Sequence, residues 1–216
     1  MKVSILTSDF PNGFPTAFGE ILNEYIEEGS KLAFVASEFE RICEKTDRYC
    51  EHFVKMFVQC GIQFDQVSVI DSRMSKEVAQ QTIKDAEVIW LSGGDTPTQF
   101  SYLKAYELLP FIREHDGVVI GMSAGSINMA KIAVCTKTCE HEKQEVYEGI
   151  GLVDLSVEPH LDKENISEEL LQLSREYTLY GMCDDSAILC ENETVIYLGD
   201  IFLIEKGEVK QISKKG

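Results

Sequence analysis

The stretch Gly117-Val118-Val119-Ile120-Gly121-Met122-Ser123-Ala124-Gly125-Ser126-Ile127-Asn128-Met129-Ala130-Lys131-Ile132 decides the fold. Its first part is a short apolar run of the kind found in a strand buried on both faces, and its last part resumes with helical spacing. Between them stands Gly121-Met122-Ser123-Ala124-Gly125, a Gly-x-Ser-x-Gly motif. Small flanking residues let the backbone turn sharply, so the serine hydroxyl is presented at the carboxyl end of the strand, as in the nucleophile elbow of hydrolases. The motif alone also fits a packed turn. Its flanking strand and helix are what favour chemistry.

Working outward, apolar runs of strand length alternate with helical patterns through the first two thirds of the chain. This predicts a three-layer α/β/α sandwich with a mainly parallel sheet. Strands are expected at Lys2 to Thr7, Lys31 to Ala36, Ile62 to Val69, Val88 to Leu91 and Val118 to Gly121. Helices are expected at Thr16 to Glu28, Phe39 to Cys60 and Ser75 to Asp85, with another opened by Thr96-Pro97 in cap-then-proline order. From Thr178 onward short strands take over, at Thr178 to Met182, Ala187 to Cys190, Thr194 to Leu198, Ile201 to Ile204 and Val209 to Ile212. Asn192-Glu193 and Lys206-Gly207 read as hairpin turns, so antiparallel strands are expected at one edge of the sheet.

Length and composition narrow the class. A chain of 216 residues without a linker or repeat reads as one domain, 1–216. The formal charge of −17 and the absence of a basic stripe argue against nucleic acid as a partner. No apolar leader precedes Val3-Ser4-Ile5-Leu6, and no run approaches the ~18 to 20 apolar residues of a membrane span, so a soluble, cytoplasmic protein without a membrane partner is expected. The 7 cysteines are scattered and form no C-x-x-C pair, which fits reduced thiols. Cys135, Cys139 and His141 suggest zinc only faintly, because their spacing fits no common site and a fourth ligand is not evident, so no metal or other cofactor is expected.

In an open parallel sheet the ligand crevice lies beyond the carboxyl ends of the strands. The residues there are Thr7-Ser8-Asp9, Ser37, Ser92-Gly93-Gly94-Asp95-Thr96 and Ser123. Gly94 could turn a backbone N–H toward an oxyanion, and the N–H of Ala124 would supply the second donor. A glycine pair also serves a loop that simply needs positive φ. A phosphate-binding loop is less suitable, since neither a Walker A nor a G-x-G-x-x-G pattern is present.

A serine nucleophile needs a base. His52 lies on the long helix, His115 in the turn before the elbow strand, and His141 in a charged run, all expected at the surface. His160, in Val157-Glu158-Pro159-His160-Leu161-Asp162, is the candidate base. Asp184 or Asp185, in the turn Gly181-Met182-Cys183-Asp184-Asp185-Ser186-Ala187, would orient it. Cys183 beside them raises a cysteine-nucleophile reading, but it lies outside the elbow. The order Ser, His, Asp differs from the Ser, acid, His order of α/β-hydrolases.

Four segments together resemble the serine peptidases that include aspartyl dipeptidase (peptidase E) and cyanophycinase. They are Trp90-Leu91-Ser92-Gly93-Gly94-Asp95-Thr96, the Ser123 motif, Glu158-Pro159-His160-Leu161 and Gly181 to Ala187. The resemblance implies a fold similar to class I glutamine amidotransferases and metal-free acyl transfer to water by a Ser-His-acid site. Ser123 falls at the family's nucleophile, His160 at its base, and Asp184 where cyanophycinase-like members place a glutamate. It also implies a small peptide substrate and allows a homodimer. Two departures stand out. Peptidase E has an aspartate downstream of its serine; the matching stretch here, Thr136-Lys137-Thr138-Cys139-Glu140, has none, leaving Asp184, then Asp185, then Glu140 as the acid. Peptidase E also has an arginine after its histidine, suited to gripping an N-terminal aspartate; here Lys163 is the cation available, and it cannot reproduce a bidentate grip. The competing readings are an esterase or amidase on a non-peptide acyl group, and a non-catalytic binding domain that has lost its acid.

Overall fold

The computed structural model describes residues 2–137 and 143–214, so Cys139, Glu140 and His141 lie outside the described residues. The first half alternates strand and helix: β1 (Val3–Thr7), α1 (Thr16–Tyr25), β2 (Lys31–Val35), α2 (Cys43–Gln59), β3 (Gln66–Ile70), α3 (Lys76–Asp85), β4 (Val88–Leu91), α4 (Thr96–Ala105), α5 (Leu109–Glu114), β5 (Val118–Met122) and α6 (Ala124–Met129). The second half is mostly short strands: β6 (Ile132–Cys135), β7 (Glu145–Glu148), β8 (Ser156–Glu158), α7 (Glu168–Leu173), β9 (Leu179–Met182), β10 (Ala187–Glu191), β11 (Thr194–Leu198), β12 (Ile201–Glu205) and β13 (Glu208–Ser213).

The central sheet has seven strands in the order β11-β10-β1-β5-β4-β2-β3. Strands β1 to β5 run parallel, and β10 and β11 join beside β1 as an antiparallel edge. The alternation of side chains fills both faces. On β4, Ile89 and Leu91 enter one core with Val35, Val119 and Phe100, while Val88 and Trp90 enter the other with Phe34, Phe53 and Phe57. Trp90 is fully buried, with the Phe53 ring centroid at 4.6 Å and Phe57 edge-on at 5.7 Å. Burying apolar side chains on both faces, with the aromatic cluster around Trp90 on one of them, is what fixes the register of the parallel strands. The mixed α/β class and the mainly parallel sheet agree with the sequence reading.

Several boundaries differ from expectation. The helix expected from Phe39 begins only at Cys43, because the Glu38 carboxylate accepts hydrogen bonds from the N–H groups of Glu40 and Arg41 at 2.9 and 2.7 Å, winding residues 38–41 into a turn. Phe39 stacks on Tyr102 at 4.8 Å instead of lying on a helix face. Asp95, not Thr96, caps α4, its side chain accepting from the Thr98 N–H at 2.9 Å. Buried His115 also departs from the surface position expected for it; its ring nitrogen lies 3.3 Å from the Glu87 carbonyl oxygen, and burial lowers its pKa.

The larger correction concerns the late strands. Only β10 and β11 extend the central sheet; β9, β12 and β13 join β8 in a second, four-stranded sheet in the order β13-β12-β9-β8. That sheet carries its own apolar cluster, in which Leu179, Phe202 and Ile204 meet Val134, Leu161, Leu170 and Leu173. The segment from Cys183 to Ser186 carries the chain from one sheet to the other. Among the described residues no helix is long and apolar enough to cross a membrane.

Candidate active site

The turn at Ser123 is held from three sides. Ser123 has φ 49° and ψ −107°, a backbone conformation sparsely populated by non-glycine residues, which costs on the order of 1–3 kcal/mol and persists only when its surroundings dictate it. Those surroundings are hydrogen bonds to β1. The Ser123 N–H donates to the Thr7 carbonyl at 2.9 Å, and the Ser126 hydroxyl accepts from the Thr7 N–H at 2.8 Å while donating to the Gly121 carbonyl at 2.7 Å. Gly125 is required by close approach, since a Cβ there would overlap the Leu91 carbonyl oxygen.

His160 follows β8 and has φ 57°, also in the left-handed region. Its N–H donates to the Ser8 hydroxyl at 2.8 Å, and the next N–H, of Leu161, donates to the Met182 carbonyl at 2.9 Å. This aims the imidazole at Ser123: Nε2 lies 2.8 Å from Ser123 Oγ, and Nδ1 lies 2.9 Å from Asp184 Oδ1. The same Asp184 oxygen accepts the Ser8 hydroxyl at 3.0 Å. Fully buried Ser8 therefore joins the histidine backbone to the carboxylate that faces the histidine ring.

The other candidates separate clearly. Asp185 borders a different hollow, with Asn12 and Tyr197; it has φ 63°, and its N–H donates to the Asp9 carbonyl at 2.7 Å, tying this turn to the segment after β1. Lys163 pairs with Asp200 at 2.7 Å. Burial pushes the Cys183 thiol above its ordinary value, the opposite of what a thiolate nucleophile needs.

Gly93 and Gly94 lie against Ser123. A Cβ on Gly93 would come within 3.4 Å of the Ser123 Cβ, and Gly94, at φ 149°, leaves no room for a Cβ because the Ser37 hydroxyl occupies that space. The loop is anchored from below by Gln99, whose side-chain amide donates to the Ser92 carbonyl at 2.8 Å, and by Asn128, which donates to the Thr96 carbonyl at 3.0 Å and to Gln99 at 3.1 Å. Ala124 opens α6 beside Ser123, where the first N–H groups of a helix have no partner within it.

Two hollows meet at Ser123, His160, Gly94 and Asp95. The smaller, about 90 Å³, is bordered on its far side by Cys135, Thr136 and Glu158. The larger, about 780 Å³, opens toward Glu38, Arg41, Lys45, Tyr49 and exposed His52. Glu158 is the residue that sequence reasoning missed in this region. The Thr136 hydroxyl donates to it at 2.8 Å, and burial, reinforced by the nearby Glu169 carboxylate, pushes its carboxyl up to about 7. Its place two residues before His160 on a three-residue strand was the available signal. Among the described residues no group of three or more His, Cys, Asp or Glu side chains is placed to hold a metal ion.

Known structures share this architecture. A crystal structure of a candidate peptidase E protein from Listeria monocytogenes EGD-e superposes with a TM-score of 0.68 at 21% identity, covering 99% of this chain and 100% of that one. A peptidase from an acI-B1 Actinobacterium superposes with a TM-score of 0.73 at 18% identity, covering 100% of this chain and 96% of that one. No curated protein sequence matches the chain. Residues 10–198, which include the turn at Ser123, the Gly93-Gly94 loop, His160 and Asp184, match Peptidase family S51, and the chain is a member of that peptidase family.

Proposed function

We propose that this peptidase is a serine hydrolase of small peptides, dipeptidase-like, with Ser123 as nucleophile, His160 as general base and acid, and Asp184 as the acid that orients His160. The observation that carries this reading is the unbroken line of contacts from Ser123 Oγ through the two ring nitrogens to Asp184, at 2.8 and 2.9 Å. The 2.9 Å contact between His160 Nδ1 and Asp184 supports this reading over that of a binding domain, whose ground was the missing aspartate in Thr136 to Glu140.

In the first half-reaction Ser123 Oγ bonds to the scissile carbonyl carbon as its proton passes to His160 Nε2. The N–H groups of Gly94 and Ala124 receive the developing oxyanion. His160 then gives the proton to the departing amine nitrogen as the C–N bond breaks, leaving an ester on Ser123. Water attacks the ester by the same route in reverse and releases the carboxylic acid and free Ser123. Asp184 holds Nδ1 protonated, so that Nε2 faces Ser123 with its lone pair.

The test is intact mass after incubation with a fluorophosphonate. A single adduct on the parent chain, absent from Ser123→Ala and His160→Ala, is expected. An unmodified parent, or an adduct that survives Ser123→Ala, would overturn the mechanism.

A further inference from the structure

The Ser92 to Thr96 loop and the helix that follows Ser123 are joined by a chain of hydrogen-bonded side chains that ends on β7. Gln99 stands in the first turn of α4, just past Gly94, and Asn128 stands one turn along α6 from Ala124. Both are fully buried. The Gln99 amide nitrogen donates to the Ser92 carbonyl at 2.8 Å and to the Ala36 carbonyl at 3.5 Å. The Asn128 amide nitrogen donates to the Thr96 carbonyl at 3.0 Å and to Gln99 Oε1 at 3.1 Å. The Tyr147 hydroxyl donates to Asn128 Oδ1 at 2.9 Å and accepts from the Cys135 thiol at 3.8 Å.

The chemistry of these groups gives the chain one direction. A backbone carbonyl only accepts, so each amide must turn its nitrogen toward Ser92, Ala36 or Thr96. Gln99 Oε1 is then left for Asn128, and Asn128 Oδ1 is left needing a donor. Tyr147 is that donor. Burial holds its phenol well above the ordinary value, so the proton stays in place through the neutral range, and the Phe100 ring, stacked at 4.9 Å, fixes the ring that carries it. Apolar side chains of similar size would fill this part of the core without holding any direction. Buried polar groups that are fully hydrogen-bonded fix the geometry of the elements bearing them.

Those elements carry the two N–H groups assigned to the oxyanion. The Ser92 and Thr96 carbonyls bracket Gly94, and Asn128 lies on the helix that Ala124 opens. The contact between Asn128 and Gln99 thus ties one donor's element to the other's. We propose that Tyr147 is a positioning residue for acyl transfer: its hydroxyl, through the amides of Asn128 and Gln99, sets the spacing between the Gly94 and Ala124 N–H groups. This deepens the serine-peptidase reading and rests on it.

The experiment follows fluorophosphonate labelling of Ser123 by intact mass and extracts kinact and KI across the neutral pH range. In that reaction the Ser123 Oγ–P bond forms and fluoride leaves as the serine proton passes to His160, and the phosphoryl oxygen takes the place of the substrate oxyanion. The parent is compared with Tyr147→Phe, Asn128→Asp and the double variant, each shown to be folded by its melting curve. Tyr147→Phe removes one oxygen and keeps the stacked ring. It should lower kinact by about 10- to 100-fold, the range for displaced oxyanion donors, with KI held within about twofold. The pH midpoint of kinact, which His160 sets, should not move. Asn128→Asp should fall alike, and the double variant should be no slower than the slower single one, as for groups that act as a unit. A parent-like kinact in Tyr147→Phe, a loss confined to KI, a moved midpoint or losses that multiply in the double variant would each overturn the proposal alone. A parent chain that is not labelled, or a label that survives Ser123→Ala, overturns the serine-peptidase reading as well.

Discussion

Replacing Glu158 by glutamine should change the pH dependence of stability in a calculable way. The carboxyl has a pKa of about 7 in the folded protein against 4.5 for an ordinary glutamate. Above 4.5 the unfolded chain has given up this proton while the folded protein still holds it, so the folded state binds more protons and loses stability as pH rises toward 7. The loss is complete above that value. Linkage puts the change between pH 5 and pH 8.5 at about 2.5 kcal/mol, an upper figure because the side chain borders a solvent-accessible hollow. Glutamine keeps an oxygen for the Thr136 hydroxyl, which donates to Glu158 at 2.8 Å, and cannot ionise. Urea denaturation of both proteins at the two pH values isolates the effect, since the other titrating groups cancel in the comparison. Glu158→Gln should be similar in stability to the parent at pH 5 and more stable at pH 8.5 by about 2 kcal/mol. An equal difference at both pH values would show that Glu158 ionises as an ordinary surface carboxylate and that its burial does not raise it.

Two further substitutions probe the wiring around Ser123. Ser8→Ala leaves the His160 N–H without its acceptor and takes a donor from Asp184, so melting should show a loss of about 1–3 kcal/mol. In the same variant kcat should fall by about tenfold or more through misplacement of the imidazole; unchanged kcat would remove Ser8 from the positioning of His160. Gly125→Ala drives a methyl group into the Leu91 carbonyl, backbone against backbone, and should cost about 3 kcal/mol by urea titration. A loss below about 0.5 kcal/mol would mean that the turn can move away from β4 and is not pinned as described.

The central sheet was legible because its strands advertise themselves. Val88 to Leu91 and Val118 to Ile120 are continuous apolar runs, and such runs fit little else at that length. The second sheet was not, because β8 has only three residues and β9 four, and nothing in their local pattern says whether they pair with β1 or with each other. Long-range packing against Leu161, Leu170 and Leu173 decides that. The same limit applies at the site. Ser123, His160 and Asp184 could be selected from motif and order, and they stand within hydrogen-bond distance of one another. Ser8 was on the list of residues at strand ends, but its link to both His160 and Asp184 exists only in three dimensions. Helix starts were misread where an acidic side chain captured the backbone, as Glu38 and Asp95 do.

Strand β1 lies between β5, which it joins in parallel, and β10, which it joins antiparallel. Its end touches the site three times, through Thr7 to Ser123 and through Ser8 to both His160 and Asp184, the last contact spanning 176 positions of sequence. During synthesis the nucleophile turn emerges well before the residues that orient its base, and the first strand must wait for all of them. In the proposed mechanism the site is thus a late product of biogenesis: a nascent or truncated chain lacking residues beyond about 180 carries Ser123 and His160 without the carboxylate that orients the imidazole. Restoration of fluorophosphonate reactivity after denaturation would accordingly report closure of the whole topology, where a far-ultraviolet signal would report only its helices and strands.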